Sequence, residues 1–451
     1  MTVVATAAWH DLLDDALAAE SAAWLDARQR ERDIIFGGRA LCTVLRPRFL
    51  SPADYDALRL ACAPLLAAML RANAIALADR EFRSGFRLAD WEESLLEAFP
   101  RYPSPVPLSR IDAFIDPDTG DARLTEMNAE TPAGVGYSDV LAELFLAMPV
   151  MQRFARDWVV RPMPTRPALL SVLRDSWHAV RGTRTPPRIA IVDWDDVPTT
   201  SEFRITADYL RAMGLACTIT TPEALEYRGS VLRDRDGQVI DLVYKRVLLH
   251  ELVTRAGLDH PLLRAAIDGA VVMVNPPLGK PLHKKAALAV LTDERHAGRF
   301  SAEEREAIRR HVPWTRVVEE RHTELDGARI DLLPWIAEHR EQLVLKPNDD
   351  YGGSGIVLGW TVDDARWRAA IAEALARPTV VQRRIALPVE PFPSVVDGRL
   401  AIAERIVDTA PFCWHGVYMD GMLTRISTDA LVNVTAGGGS TVPTFVVEPR
   451  A

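Results

Sequence analysis

Residues 343–345, a short apolar run, deliver Lys346 and then break into Pro347-Asn348-Asp349-Asp350-Tyr351-Gly352-Gly353-Ser354-Gly355 before apolar residues resume at Ile356. Read by period and punctuation, this is strand, loop, strand. The arrangement holds an ammonium at a strand end and lays a flap of backbone amides beside it. Polyphosphate is the ligand that best uses these two features, because successive N–H groups form an anion-binding concavity. The pattern is neither the dinucleotide-binding Gly-x-Gly-x-x-Gly nor the phosphate loop that closes on Gly-Lys-Ser/Thr and opens a helix. A hairpin with a surface lysine is the alternative.

A second stretch lies far upstream. Arg110-Ile111-Asp112 precedes a turn at Asp116-Pro117-Asp118-Thr119-Gly120, and Leu124-Thr125-Glu126-Met127-Asn128 follows. That punctuation places Asp112 and Glu126 on neighbouring antiparallel strands. Glu126 and Asn128 are two apart and share a face. Two carboxylates and an amide oxygen make a hard, oxygen-only site. Magnesium suits it, being usually held by one or two carboxylates plus substrate phosphates. On spacing alone, a polar sheet face with Asn128 and Glu130 as turn residues accounts for the same pattern.

The chain has 451 residues, enough for two or three domains, with 48% hydrophobic and 25% charged residues, as in a soluble globular protein. A formal net charge of −9, without a basic patch carrying interleaved aromatics, argues against nucleic acid as the main partner. Cys42, Cys62, Cys217 and Cys413 are too scattered for a disulfide framework or a zinc pattern, so a reducing cytoplasm is the expected compartment. Residues 1–12 lack the basic segment and apolar core of a secretory signal. No apolar run is expected to approach the roughly 20 residues that span a membrane.

Four regions follow from the texture of the chain. Residues 1–106 read mostly as helices, with an apolar face from Tyr55 to Leu70 that Pro64 is expected to kink or divide. Residues 107–180 carry the acidic hairpin and a helix over roughly 139–154. Residues 181–279 alternate strands (188–192, 215–220, 239–244, 271–274) with helices, which indicates a small open α/β unit with a parallel sheet. Residues 280–451 contain the lysine and its flap, helices near 302–310 and 363–375, a strand at 380–382, and antiparallel strands near 400–407, 413–419 and 422–427.

The combination resembles the circularly permuted form of the ATP-grasp superfamily, whose best-known relatives are glutathionylspermidine synthetases. Ordinary ATP-grasp enzymes place the metal-binding acidic strands after the lysines and the flap, whereas here Asp112, Glu126 and Asn128 come first. The likeness runs through Arg110-Ile111-Asp112, Glu126-Met127-Asn128-Ala129-Glu130-Thr131-Pro132, Asn275-Pro276, Lys284-Lys285 and the Lys346–Gly355 stretch. It continues through Gly416, Arg425-Ile426-Ser427, Asn433 and Gly437-Gly438-Gly439. It covers about residue 107 to the C-terminus. It implies a mixed α/β and α+β protein: an ATP-grasp fold in permuted order, an open α/β pre-ATP-grasp-like domain and a helical N-terminal region.

The resemblance also implies chemistry. Lys346 would contact the phosphates of ATP, with Lys284 or Lys285 as a second cation. Tyr351, Gly352, Gly353, Ser354 and Gly355 would form the cover, and Gln382 would approach the nucleotide base. Asp112, Glu126 and Asn128 would hold magnesium, two ions being expected. Arg425 would stabilise the transferring phosphoryl group or else anchor the last sheet by a salt bridge. Arg110 would bind anion or neutralise Asp112. A substrate carboxylate would attack the γ-phosphate to give an acyl phosphate, and an amine would displace phosphate to leave an amide and ADP.

The substrates themselves are not named by the family. No cysteine, histidine and acid grouping suits the amidase activity that some glutathionylspermidine enzymes carry, so neither glutathione nor spermidine follows. Asp193, Asp195, Asp196 and Glu202 follow a parallel strand, where ligands of such sheets bind. They suit a cationic amine or a solvated acidic loop. Arg204 or Arg246 suits a carboxylate or plain surface charge, and His283 and His415 are isolated. The favoured reading is a carboxylate–amine ligase acting on small molecules. An ATP-dependent phosphotransferase and a catalytically silent nucleotide-binding protein are its rivals.

Overall fold

The computed structural model describes residues 1–350, 352–430 and 439–450. Tyr351, Asn433, Gly437 and Gly438 lie outside the described residues. The front of the chain is helical: Thr2–Asp11, Asp15–Glu31, Pro52–Ala78, Arg80–Ser84 and Asp90–Ala98. Ser51 and Asp54 form a reciprocal capping box that starts Pro52–Ala78. Pro64 lies inside that helix without dividing it. This helix is also apolar and long enough to cross a membrane, with a mean hydropathy of 1.7 over its most apolar stretch, which corrects the expectation that no such run exists. Its Leu58, Leu65, Leu66 and Met69 pack into a core with Ile111, Leu124 and Met127 of the acidic hairpin.

That hairpin, Leu108–Ile115 and Ala122–Asn128, does not stand alone. Leu108–Ile115 pairs antiparallel with Ala410–Trp414, with Arg110 opposite Phe412. Tyr418–Ser427, Arg399–Val407 and Val389–Val396 extend the sheet, and Gly439–Val442 flanks Tyr418–Ser427. The expected strand at 413–419 is divided by a turn in which His415 and Gly416 take positive φ. Val389–Val396 was hidden by Pro391 and Pro393, which an edge strand accommodates. The helix expected at 139–154 is two, Val135–Ala147 and Pro149–Phe154, because Pro149 starts a new first turn.

Ile189–Val192 is buried along its whole length, as its unbroken apolar sequence requires. It lies between Leu242–Lys245 and Cys217–Thr220, with Val272–Val274 beyond, and every pairing is parallel. Asn275 binds this sheet to the acidic hairpin. Its Oδ1 accepts from the Leu108 amide at 3.0 Å, while its Nδ2 donates to the carbonyls of Leu108, Ala129 and Glu130 at 2.6–3.2 Å. The last unit is a four-stranded antiparallel sheet ordered Thr315–Val317, Thr379–Arg383, Leu343–Pro347, Val357–Leu358. Asp364–Ala376 packs its Trp367 and Ile371 against Leu343 and Leu345.

Candidate active site

Strand alternation explains which side chains meet. Asp112 and Glu126 are register partners across the hairpin, and Arg110 faces Asn128. A register shift after Asp112 marks the hairpin at this point. Asp112 is buried and accepts from Arg110 Nε at 2.7 Å and Nη2 at 3.0 Å, a two-pronged contact. Arg425 Nη2 adds a third bond at 2.7 Å from Tyr418–Ser427, two strands away in the same sheet. Burial alone would raise the Asp112 carboxyl, yet the guanidiniums of Arg110 and Arg425 hold it well below the carboxylate range. Arg425 is itself fixed by Asp408, whose carboxylate accepts from its Nε and backbone amide at 2.5 Å. Asp408 had no signal in the sequence.

The cations lie on the opposite side. Lys346, at the end of its strand, donates to Gln382 Oε1 at 2.7 Å and to the Thr125 carbonyl at 3.2 Å. Burial, reinforced by nearby Lys285 and opposed by Glu126, lowers the Lys346 amine to about 8. Lys285 sits 3.2 Å from Glu126 and donates to the Asp350 carbonyl at 2.7 Å. Asn128 Nδ2 lies 3.4 Å from Glu126 Oε1, so the amide and both carboxylates adjoin as the alternation requires.

Lys284, the other lysine of the pair, turns away. It meets Glu92 at 2.7 Å and Asp349 at 2.9 Å. With Lys280, Lys245 and Glu130 these groups form a buried ion network beneath the flap. Lys280 reaches Glu130 at 2.7 Å and Asp349 at 3.0 Å. Each buried charge therefore has an opposite partner. The network joins the front helices, the hairpin exit, the α/β sheet and the flap base. Neither periodicity nor punctuation discloses it, since its members come from five separate segments. Asn348 reinforces the same joint: its Oδ1 accepts from the Ala286 amide and its Nδ2 donates to the carbonyls of Phe86 and Arg87.

In the flap, Gly352, Gly353 and Gly355 adopt φ between +65° and +77°, a region that side chains strain to enter. Gly352 and Gly353 line a cleft of about 890 Å³ together with Lys346, Gln382, Glu126 and Arg425. Leu358, Trp360 and Ile385 supply its apolar wall. A second cleft, about 1330 Å³, borders the first and shares Glu126, Gly352 and Arg425 with it. Arg110, Asn128, Asp193, Arg246 and His283 line this second space.

Not every charged residue flagged in the sequence reaches a cleft. Arg204 is exposed and pairs with Asp33, so it is surface charge. Asp195 and Asp196 are exposed, the latter facing Arg255. Glu202 turns its Oε1 to the amides of Gly134 and Gly136. Arg246 is buried and donates to the Pro132 carbonyl at 2.7 Å. His415 lies 3.6 Å from Asp175, away from both clefts.

The donor chemistry fits a hard cation at Glu126. The three bonds that Asp112 accepts leave it lone-pair capacity, since a carboxylate has about four acceptor sites. Asn128 contributes an amide oxygen. Among the described residues no group of three or more carboxylate, histidine or cysteine ligands forms a closed metal cage. An open set is what magnesium uses when phosphate oxygens complete its shell.

A solved structure of a glutathione synthetase-like effector from Globodera pallida, in its apo form, has the same overall fold. Sequence identity is 14%, 96% of each chain is covered and the TM-score is 0.60. A RimK domain ATP-grasp protein from Sphaerobacter thermophilus overlaps 57% of this chain and 90% of its own at 16% identity. Its TM-score of 0.27 is too low to argue from. No family model and no curated protein sequence matches the chain.

Proposed function

On this ATP-grasp fold, related to glutathione synthetase-like proteins, we propose that the chain is an ATP-dependent carboxylate–amine ligase working through an acyl phosphate. One observation carries the reading. Glu126, Gly352 and Arg425 line both clefts where they meet, Lys346 lines the first and Lys285 lies 3.2 Å from Glu126, so a polyphosphate in one would point its terminal group at a substrate in the other. The acidic hairpin precedes the lysines in the chain yet shares the site with them, which supports the circularly permuted order.

In this reading the first cleft takes ATP, its base against Trp360, Leu358 and Ile385. Gln382 holds the Lys346 ammonium in place, a different task from contacting the base alone. Lys346 and Lys285 bind the phosphates, and the amides of residues 352–355 close over them. Asp112, Glu126 and Asn128 would hold magnesium, which neutralises phosphate charge and aligns an in-line displacement. Arg425, oriented by Asp408, presents its planar guanidinium to the transferring phosphoryl group. A substrate carboxylate oxygen attacks the γ-phosphorus and ADP leaves. An amine nitrogen then attacks the acyl carbon, loses a proton and expels phosphate. The flap excludes water that would hydrolyse the acyl phosphate.

The test is magnesium-dependent ATP turnover against pooled metabolites, following phosphate and product masses together. Ligation yields free phosphate and a product lighter by one water than acid plus amine, and both signals vanish in Lys346→Ala and Glu126→Ala. A product heavier by one phosphoryl group without free phosphate makes the protein a phosphotransferase instead. Undiminished turnover in Glu126→Ala sinks the metal role.

A further inference from the structure

Beneath the flap, ion pairs join Lys245, Lys280 and Lys284 to Glu92, Glu130 and Asp349. Among the described residues these six charges pair only with one another and with His283. Three ammoniums therefore stand against three carboxylates. All but Asp349 are buried, none of the five more than 4% exposed. Burial and Lys280 hold the His283 imidazole down at about 4, so it adds no charge at neutral pH. The count closes only with Asp349, whose two oxygens are met by Lys280 at 3.0 Å and Lys284 at 2.9 Å. Burial pushes the Asp349 carboxyl up, yet these two lysines bring it down to about 2.

Asp349 is the member that the flap loop contributes. On either side of it the main chain is held to the segment that carries Lys280 and Lys284. The Lys285 amide donates to the Asn348 carbonyl at 2.9 Å and the Ala286 amide to Asn348 Oδ1 at 2.8 Å. Lys285 Nζ donates to the Asp350 carbonyl at 2.7 Å. The next described residues, Gly352 and Gly353, turn at positive φ and line the first cleft, Gly352 lining the second as well. Where residues 348–350 are fixed thus sets where the covering amides stand. Without the Asp349 charge, Lys245, Lys280 and Lys284 would share Glu92 and Glu130, leaving one buried ammonium uncompensated. Such a charge is costly, and the loop that gave up its partner loses its tie to the lysines.

We propose that Asp349 is a positioning residue: by closing this charge count it fixes the base of the flap against residues 280–286 and so holds Gly352 and Gly353 beside the junction of the two clefts. This deepens the nucleotide reading of the flap and rests on it for any effect on magnesium–ATP. The fixing of the loop base does not depend on that reading. Charge balance, rather than the shape of one side chain, is what holds the loop, so loss of a lysine from the network offsets loss of the carboxylate. Lys284 suits that exchange because it lines neither cleft.

The test compares full-length wild type, Asp349→Asn, Lys284→Gln and the double variant. Amide hydrogen exchange is followed without nucleotide, and calorimetry measures magnesium–ATP. In Asp349→Asn the amides of residues 346–350 are expected to exchange about tenfold faster and the magnesium–ATP Kd to weaken about tenfold, as loss of a buried counter-charge implies. The double variant, with two ammoniums against two carboxylates, recovers both to within about threefold of wild type. Asp350→Asn, altered at a neighbour whose carboxylate faces Arg377 at 3.6 Å, changes neither. If Asp349→Asn does not fold, Lys284→Gln supplies the comparison: it leaves two ammoniums against three carboxylates, and the double variant must exchange more slowly than it does. Unchanged exchange in Asp349→Asn, or a double variant no better than the single ones, overturns the charge count. Faster exchange with an unaltered Kd confines Asp349 to packing and overturns the positioning role. Wild type that binds no magnesium–ATP overturns the nucleotide reading instead, and exchange alone then decides whether Asp349 fixes the loop.

Discussion

Arg425 serves two carboxylates at once, spanning Asp408 at 2.5 Å and Asp112 at 2.7 Å. A lysine keeps the charge but lacks the planar, rigid fork with which the guanidinium reaches both carboxylates. Arg425→Lys is therefore expected to lower turnover by about 10²–10³ fold, as loss of a preorganised transition-state donor does. Affinity for magnesium–ATP should change little, and a comparison of kcat with nucleotide Kd checks this. An equal loss in binding would assign Arg425 to holding the sheet. Residue identities of this kind were partly legible beforehand. The Glu126–Asn128 spacing and the Lys346 strand end follow from period-two alternation. The choice of Lys285 over Lys284 does not, because adjacent residues at a helix entry differ only in which side the fold presents.

Within single elements, the flap loop shows most directly how sequence and geometry constrain each other. A Cβ on Gly355 would lie 2.7 Å from the Pro347 ring and 3.0 Å from the Arg377 guanidinium, at φ +68°. Gly355→Val must move the flap off the end of the lysine strand. We expect magnesium–ATP affinity to fall at least tenfold while the urea midpoint shifts little, because the loop is peripheral to the cores. An unchanged Kd would mean that the flap does not cover the nucleotide. The strand–loop–strand form was legible here because glycine and proline punctuate it. The same punctuation misled elsewhere. Pro64 sits mid-helix without ending it, since the long apolar face of Pro52–Ala78 gains more from burial than one lost backbone bond costs. Pro391 and Pro393 concealed a strand that tolerates them at the sheet edge.

Across the whole molecule, the helical front end, which carries little of the family likeness, is tied to the base of the flap through Glu92, Lys284 and Asp349. Glu92→Ala leaves a buried lysine with Asp349 as its remaining partner at 2.9 Å and frees the Ala89 amide. Loss of one member of a buried pair costs about 3–5 kcal/mol. We expect a stability loss at the low end of that range and a several-fold weaker magnesium–ATP Kd. Urea titration and calorimetry measure the two effects. Loss of stability without any change in Kd would confine Glu92 to packing. Assembly at this scale was the least legible from sequence. Asn275 was recognisable as part of a motif, yet its four bonds to the hairpin depend on three segments folding together. Arg425 and Asp112, which share one ion pair, stand 313 residues apart in the chain. At roughly 5–20 residues per second, a ribosome takes about 15–60 s to travel between them. For that interval the acidic hairpin is made but lacks the strand that completes its sheet, so a chain stalled in synthesis carries Asp112 with Arg110 but without Arg425. The proposed site then completes only after Tyr418–Ser427 has been made and has paired with the earlier strands.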